Sequence, residues 1–239
     1  MTPRASSSPL HQGQAPKRPR WVAIATASVL AVLLLLSAIP RFGGGRRLNA
    51  NETATVATLK RILQAQSRLQ SLAAIDCNSD GRGEYATFAE LAGAVPLRTS
   101  DGIGTGKLLD PPVLSPSFGR LHDGCVHRSG YVYQMFLPGT GGRWQPEARD
   151  RGAIAGVDDE RASQDWICYA WPIEPGVTGK RSFFIDSRGN FVAQHSATHG
   201  YGGGRRPLAG IAAHVFDNGT WGIAANTVDV LGDCWVVVN

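Results

Sequence analysis

The chain has 239 residues, 43% of them hydrophobic and 18% charged, with 29 Gly, 14 Pro and 4 Cys. Ordinary apolar content without a dominating short repeat excludes a collagen, a coiled coil and a fully disordered chain, and the length suits one domain with a tail and an anchor. The formal charge is +5, but of 24 basic residues seven lie before position 48, where no acidic residue occurs, leaving 17 basic against 19 acidic groups elsewhere; that balance disfavours nucleic-acid binding.

Residues 1–20, rich in Ser and Pro, read as a disordered cytoplasmic tail. From Trp21 to Ile39 no charge interrupts the apolar run. As a helix it would span roughly 28 Å, close to a bilayer's hydrocarbon thickness, so a retained single-pass transmembrane helix is expected at 21–39. Pro40 and the glycines Gly43-Gly44-Gly45 make residues 40–48 a Gly/Arg hinge. A second helix is then expected from Asn49, which with Glu52 forms a capping-box pattern. Val56, Leu59, Ile62, Leu63, Leu69 and Leu72 give it one apolar stripe as far as Ile75.

Thr87-Phe88-Ala89-Glu90 signals a short helix that stops at Gly93. Strands are predicted at 131–137, 166–171, 182–186 and 191–194, the last two joined by the turn Ser187-Arg188-Gly189-Asn190. The run from Cys234 to Val238 adds an edge strand. Residues 139–165 and 195–220 read as polar, Gly-rich connections. The expected fold class is α+β, with the transmembrane helix followed by a long amphipathic helix packed on an antiparallel β-sheet. The extracytoplasmic domain would occupy 49–239.

Cys77, Cys125, Cys168 and Cys234 all follow the apolar run, and none shows zinc-type spacing. An even count suggests two disulfides in an oxidising compartment. Three pairings are open, of which Cys77–Cys125 with Cys168–Cys234 is the first expectation. Asp76, Asn78, Asp80 and Gly81 match the front of a calcium loop, with Arg82 and Glu84 at its seventh and ninth positions. The twelfth position is Thr87 instead of a bidentate Glu, so the competing reading is an Asx-rich turn after the long helix.

Gly102–Lys107 fails as a phosphate loop because Leu108 stands where a Mg²⁺-binding hydroxyl belongs, and no nucleotide is expected. His195 and His199 have no helical setting for metal binding. Tyr131, Tyr133, Tyr169, Trp166 and Trp171 are either core or a platform for a sugar or peptide.

Asn51-Glu52-Thr53-Ala54-Thr55-Val56-Ala57-Thr58-Leu59, followed by Gln64-Ala65-Gln66, resembles the corresponding helix of bacterial type IV pilin-like and pseudopilin-like proteins. Gly83-Glu84-Tyr85 with Phe88-Ala89-Glu90-Leu91, and Tyr169–Pro172 with Gly176–Asp186, resemble later segments of that family in the same order. The resemblance spans about residues 49–194 and implies a pilin-type helix on an antiparallel sheet, without enzyme activity. No prepilin-type cleavage site precedes Trp21, and Pro40 with the three glycines interrupts the helix, so a tethered pilin-like domain is expected.

The expected protein is therefore a non-enzymatic, single-pass component of the bacterial cytoplasmic membrane, N-terminus inside. Its role would be structural or interactive in the cell envelope, as an accessory to a secretion or pilus-like assembly. Its partners would be membrane lipid through 21–39, and envelope proteins or further copies of itself. The alternatives are a calcium-ordered module for polysaccharide or peptide, and a hydrolase built on the long loops.

Overall fold

The structure, a computed structural model, describes residues 43–99, 107–147, 154, 156–195, 200–215, 221–223, 225–229 and 231–238. The tail 1–20 and the apolar run 21–39 lie outside the described residues. Among the described residues no helix is long and apolar enough to cross a membrane. The long helix that is present, α1 (Gly43–Ser71), carries Arg46, Arg47, Glu52, Lys60, Arg61 and Arg68 and buries only one stripe. The expected transmembrane fold, the single-pass anchor and the membrane location built on it are corrected accordingly.

Helix α1 begins at Gly43 instead of Asn49, so the three glycines form its first turn where a hinge was expected. Buried Leu48 gives that early turn an apolar anchor. Leu59, Ile62, Ala65 and Leu69 then face the core at steps of three and four residues. The helix stops at Ser71, short of Ile75, and Leu72 is left 60% exposed beyond its end. Ala73 follows with a positive φ, which turns the chain back toward the sheet side.

Helix α2 (Phe88–Leu91) is a single turn whose capping box is complete. Glu90 N–H donates to the Thr87 hydroxyl, and Thr87 N–H donates to the Glu90 carboxylate. The strands are β1 (Val126–Arg128), β2 (Tyr131–Pro138), β3 (Trp144–Pro146), β4 (Ile167–Pro172), β5 (Arg181–Asp186), β6 (Phe191–His195), β7 (Ala213–Val215), β8 (Trp221–Ile223), β9 (Thr227–Val228) and β10 (Cys234–Val237). A further helical turn, α3 (Asp159–Ala162), lies between β3 and β4.

Eight strands form one sheet in the order β1-β2-β4-β5-β6-β10-β9, with β3 pairing with β2 off this path. Every pairing in it is antiparallel. Strand β10 therefore sits between β6 and β9 and is not an edge. The remaining pair, β7 and β8, makes a separate ribbon.

Alternation along the strands divides the sheet's side chains between two cores. Tyr131, Tyr133, Met135 and Leu137 of β2, Cys168 and Ala170 of β4, and Phe183 and Ile185 of β5 join Leu59, Ile62 and Leu69 on the helix side. Val132, Phe136, Tyr169, Trp171, Phe184 and Val192 belong to the opposite core, with Tyr201, Ile211, Ala212 and Trp235. Both faces are thus covered, which explains why all eight residues of β2 and all six of β4 are buried.

The same division accounts for the cysteines. All four are free thiols. Cys77 belongs to the helix-side core and Cys125 to the opposite one. Cys168 is fully buried while Cys234 is exposed at the start of β10. The expected disulfides are therefore corrected, and the cysteine count gives no support to an oxidising compartment.

Candidate functional site

The segment from Asp76 to Arg98, which leads from α1 to the sheet, holds most of the chain's candidate chemistry. Asp76 Oδ1 and Oδ2 accept the N–H groups of Asp80 and Gly81, both at 3.1 Å. Asn78 Oδ1 also accepts Asp80 N–H at 3.2 Å, and Asp80 Oδ1 accepts Arg82 N–H at 2.7 Å. Asn78 Nδ2 donates to Asp80 Oδ2 at 3.0 Å. The polar side chains thus close on the loop's own amides as nested Asx turns. Gly81, at φ +81°, takes the left-handed position that such a turn needs.

The structure brings Asp76, Asn78 and Asp80 together but withdraws Glu84, which is fully buried while Arg82 stays exposed. Glu84 Oε1 accepts Cys77 N–H at 2.7 Å, and Glu84 Oε2 meets Arg98 Nη2 at 3.0 Å. A carboxylate committed to a buried guanidinium does not complete a calcium cage, so the five predicted residues do not fit that ion.

Arg98 is the centre of this arrangement, and sequence reasoning missed it. Its Nη1 meets Glu90 Oε2 at 3.0 Å, its backbone N–H donates to Glu90 Oε1 at 2.9 Å, and Nη2 also donates to the Tyr85 carbonyl. Burial works against the charge, yet Glu90 and Glu84 hold the guanidinium charged, above its ordinary range. Two carboxylates around one planar fork form a buried ion cluster in which both Nη atoms are paired and Arg98 Nε has no hydrogen-bond partner. The signal available in the sequence was the capping-box Glu90, which needed a cation once its turn was buried.

Glu147, also missed, supports the same region from the position just after β3. Its carboxylate oxygens accept the N–H groups of Phe88 and Ala89 at 3.0 and 2.8 Å. Burial nevertheless pushes its carboxyl up to about 8, against the pull of those two donors.

Cys77 Sγ, a Glu84 oxygen and an Asp159 oxygen lie within 4.8 Å of one another. A cation there would sit beside Arg98, which already balances Glu84. Burial and the neighbouring Glu84 push the Cys77 thiol up to about 12, and burial pushes Cys125 to about 11. Cys168 is raised well above the ordinary thiol range for the same reason. None of these three is a ready thiolate at neutral pH. Tyr131, Tyr133, Tyr169, Trp166 and Trp171 are all fully buried and form core, not a platform. His199 and residues 100–106 lie outside the described residues, and His195 belongs to the backbone of β6.

Several polar clamps fasten α1 to the rest, Gln70 Nε2 to the Ser163 carbonyl and the Tyr133 hydroxyl to Thr55 Oγ1 among them. Glu52 Oε1 accepts Lys180 N–H at 2.9 Å, and Glu52 Oε2 pairs with Arg181 Nε at 2.8 Å. Asn51 Nδ2 donates to the Thr178 carbonyl at 2.9 Å. Further along, Gln66 exchanges two hydrogen bonds with Ala86, accepting its N–H at 2.9 Å and donating to its carbonyl at 2.7 Å. Gly179, between Thr178 and Lys180, is packed so closely under Tyr131 that an added Cβ would lie 2.0 Å from the phenolic oxygen. Only glycine lets the clamped loop lie there.

Comparison with protein-family models, with curated proteins and with solved structures gives no match.

Proposed function

We propose that this domain is a non-enzymatic, pilin-like module whose role is structural or interactive, through contact with another protein or with further copies of itself. The observation that supports this reading is where the pilin-like segments meet. Asn51 and Glu52 clamp residues 178–181, and Gln66 clamps Ala86, so the helical stretch that carries the resemblance is hydrogen-bonded to each of the other two. Their polar residues are spent on holding a helix to a sheet, and buried Glu84, Glu90 and Glu147 on holding the Asp76–Arg98 segment. Chemistry directed inward leaves the outer surface as the working part.

The test uses the purified full chain, with a photo-crosslinking residue replacing exposed Lys60 on the outer side of α1. Sedimentation velocity should show concentration-dependent self-association, or irradiation in cells should join the chain to one discrete protein species. A panel of ester, peptide, glycoside and phosphoester substrates should show no turnover. A chain that stays monomeric and cross-links to nothing, or one that turns over a substrate, would overturn the reading.

A further inference from the structure

A groove of ≈ 340 Å³ runs between α1 and the residues from Val113 to Phe118, with Arg128 of edge strand β1 at its wall. Three of its lining residues are arginines, Arg61, Arg68 and Arg128, and none is acidic. We propose that this groove binds a small oligoanion bearing phosphoryl groups, a site independent of the protein–protein role argued above.

The charge arrangement carries the inference. Arg61 and Arg68 lie two helical turns apart on the face that also presents Gln64 and Ala65, roughly 10 Å along the axis. Neither makes an ion pair among the described residues, and each is exposed. Helix α1 offers them no relief: it carries five basic residues and one acidic, and that one, Glu52, is committed to Arg181.

Arg128 is set differently. Its Nη1 donates to Ser117 Oγ at 3.1 Å, and its guanidinium lies over the Phe118 ring at 5.6 Å. The fork is therefore held in place with donors to spare, and ordering it costs a ligand little. Like charges gathered in a groove without a counter-charge repel one another, and an anion that bridges them gains what the empty groove loses.

Size and floor narrow the ligand. The volume lies at the small end of the range for small-molecule sites, well short of a macromolecular interface. Val113, Leu114 and Ala65 supply apolar contact between the cationic walls. An elongated molecule with phosphates at its ends and an apolar middle matches both features. Arginine reads phosphate through paired N–H donors, which makes the phosphoryl group the best fit to this donor set. The phosphoryl groups could come from an inorganic chain or from an organic bisphosphate, and two probes separate these sources.

Isothermal titration of the full chain is done at low salt with inorganic tripolyphosphate and with hexane-1,6-diyl bisphosphate, using orthophosphate as reference. Saturable binding is expected for at least one of the two, about tenfold tighter than for orthophosphate, and the tighter probe identifies the source. Arg61→Gln and Arg68→Gln should each weaken it about tenfold, the loss of one charge-assisted contact. Arg128→Gln should do the same, with the two exposed helix variants standing if that one unfolds. Lys60→Gln removes the same charge from α1 outside the groove and should change affinity by less than about twofold. Absence of saturation at about 1 mM of both probes, binding no tighter than that of orthophosphate, or an equal loss with Lys60→Gln, overturns the proposal.

Discussion

On one side of the sheet a helix lays Leu59, Ile62 and Leu69 against Tyr133, Cys168 and Phe183; on the other, Tyr169, Trp171 and Trp235 are closed over by irregular chain that includes Tyr201, Ile211 and Ala212. The helix satisfies its own backbone, so its contribution is an apolar stripe and a few clamps. Irregular chain has backbone groups to place, and the sheet's aromatic tips receive them. Ala212 N–H donates to the Tyr169 hydroxyl at 3.0 Å, and Trp171 Nε1 donates to the Gly203 carbonyl at 3.1 Å. Trp235 Nε1 reaches Asp229 Oδ2 at 3.0 Å, while Asp229 Oδ1 collects the N–H groups of Leu231 and Asp233. Equal burial is thus reached by two routes, one periodic and one through polar-tipped aromatics.

The contrast can be broken hardest on the helix side, at Arg98. Replacing it, as in Arg98→Met, leaves Glu84 and Glu90 buried without their cation, and unfolding in denaturant should show a loss of about 3–5 kcal/mol. A loss below about 1 kcal/mol would mean that the two carboxylates regain water and that the cluster is not a joint.

Matched truncations sharpen the comparison between the layers. Ile62→Ala should cost about 2–5 kcal/mol, because the helix and sheet around that fully buried side chain are rigid and cannot fill the gap. Ile211→Ala should cost less, nearer 1–2 kcal/mol, since irregular chain can settle into the space. Hydrogen exchange should rise around 200–212 for the second variant and throughout the sheet for the first. Equal costs would remove the distinction.

The last test concerns pH. Glu147 has its folded value raised to about 8 from an ordinary 4.5, so the folded state holds its proton where the unfolded chain has released it. Its contribution is complete below about pH 4.5 and is lost as pH rises through 8, at a slope of at most about 1.4 kcal/mol per pH unit. Melting temperature should fall across that window, and Glu147→Gln should flatten the fall. A profile that rises with pH and loses that rise in Glu147→Gln would show that the amides of Phe88 and Ala89 outweigh burial.

The helix stripe and the central strands were legible because local pattern carries them: 59, 62 and 69 on α1, an apolar run at 131–137 interrupted by Gln134, and an unbroken one at 166–171. The second core was not legible. Its covering layer includes Gly202-Gly203-Gly204-Arg205-Arg206, whose composition reads as solvent-exposed loop, and no local period shows that Tyr201 and Ala212 bracket a buried surface. Counting cysteines failed because an even number is silent about which face of a sheet each occupies. The Asp76–Asp80 turn was legible, but Glu84 seemed to belong to it until Arg98, distant by chain and unremarkable among Val95-Pro96-Leu97, drew it inward. Side chains that answer a partner far along the chain leave no periodic trace.

Glu52 and Gln66 make the long helix a ruler. They stand about four turns apart, roughly 21 Å, and each docks on a fixed point, Lys180–Arg181 for one and Ala86 for the other. Adding or removing one residue between them would swing one end by about 100°, so both docking points could no longer be met at once. Length variation in this domain is therefore barred from that interval and is left to the connections between strands.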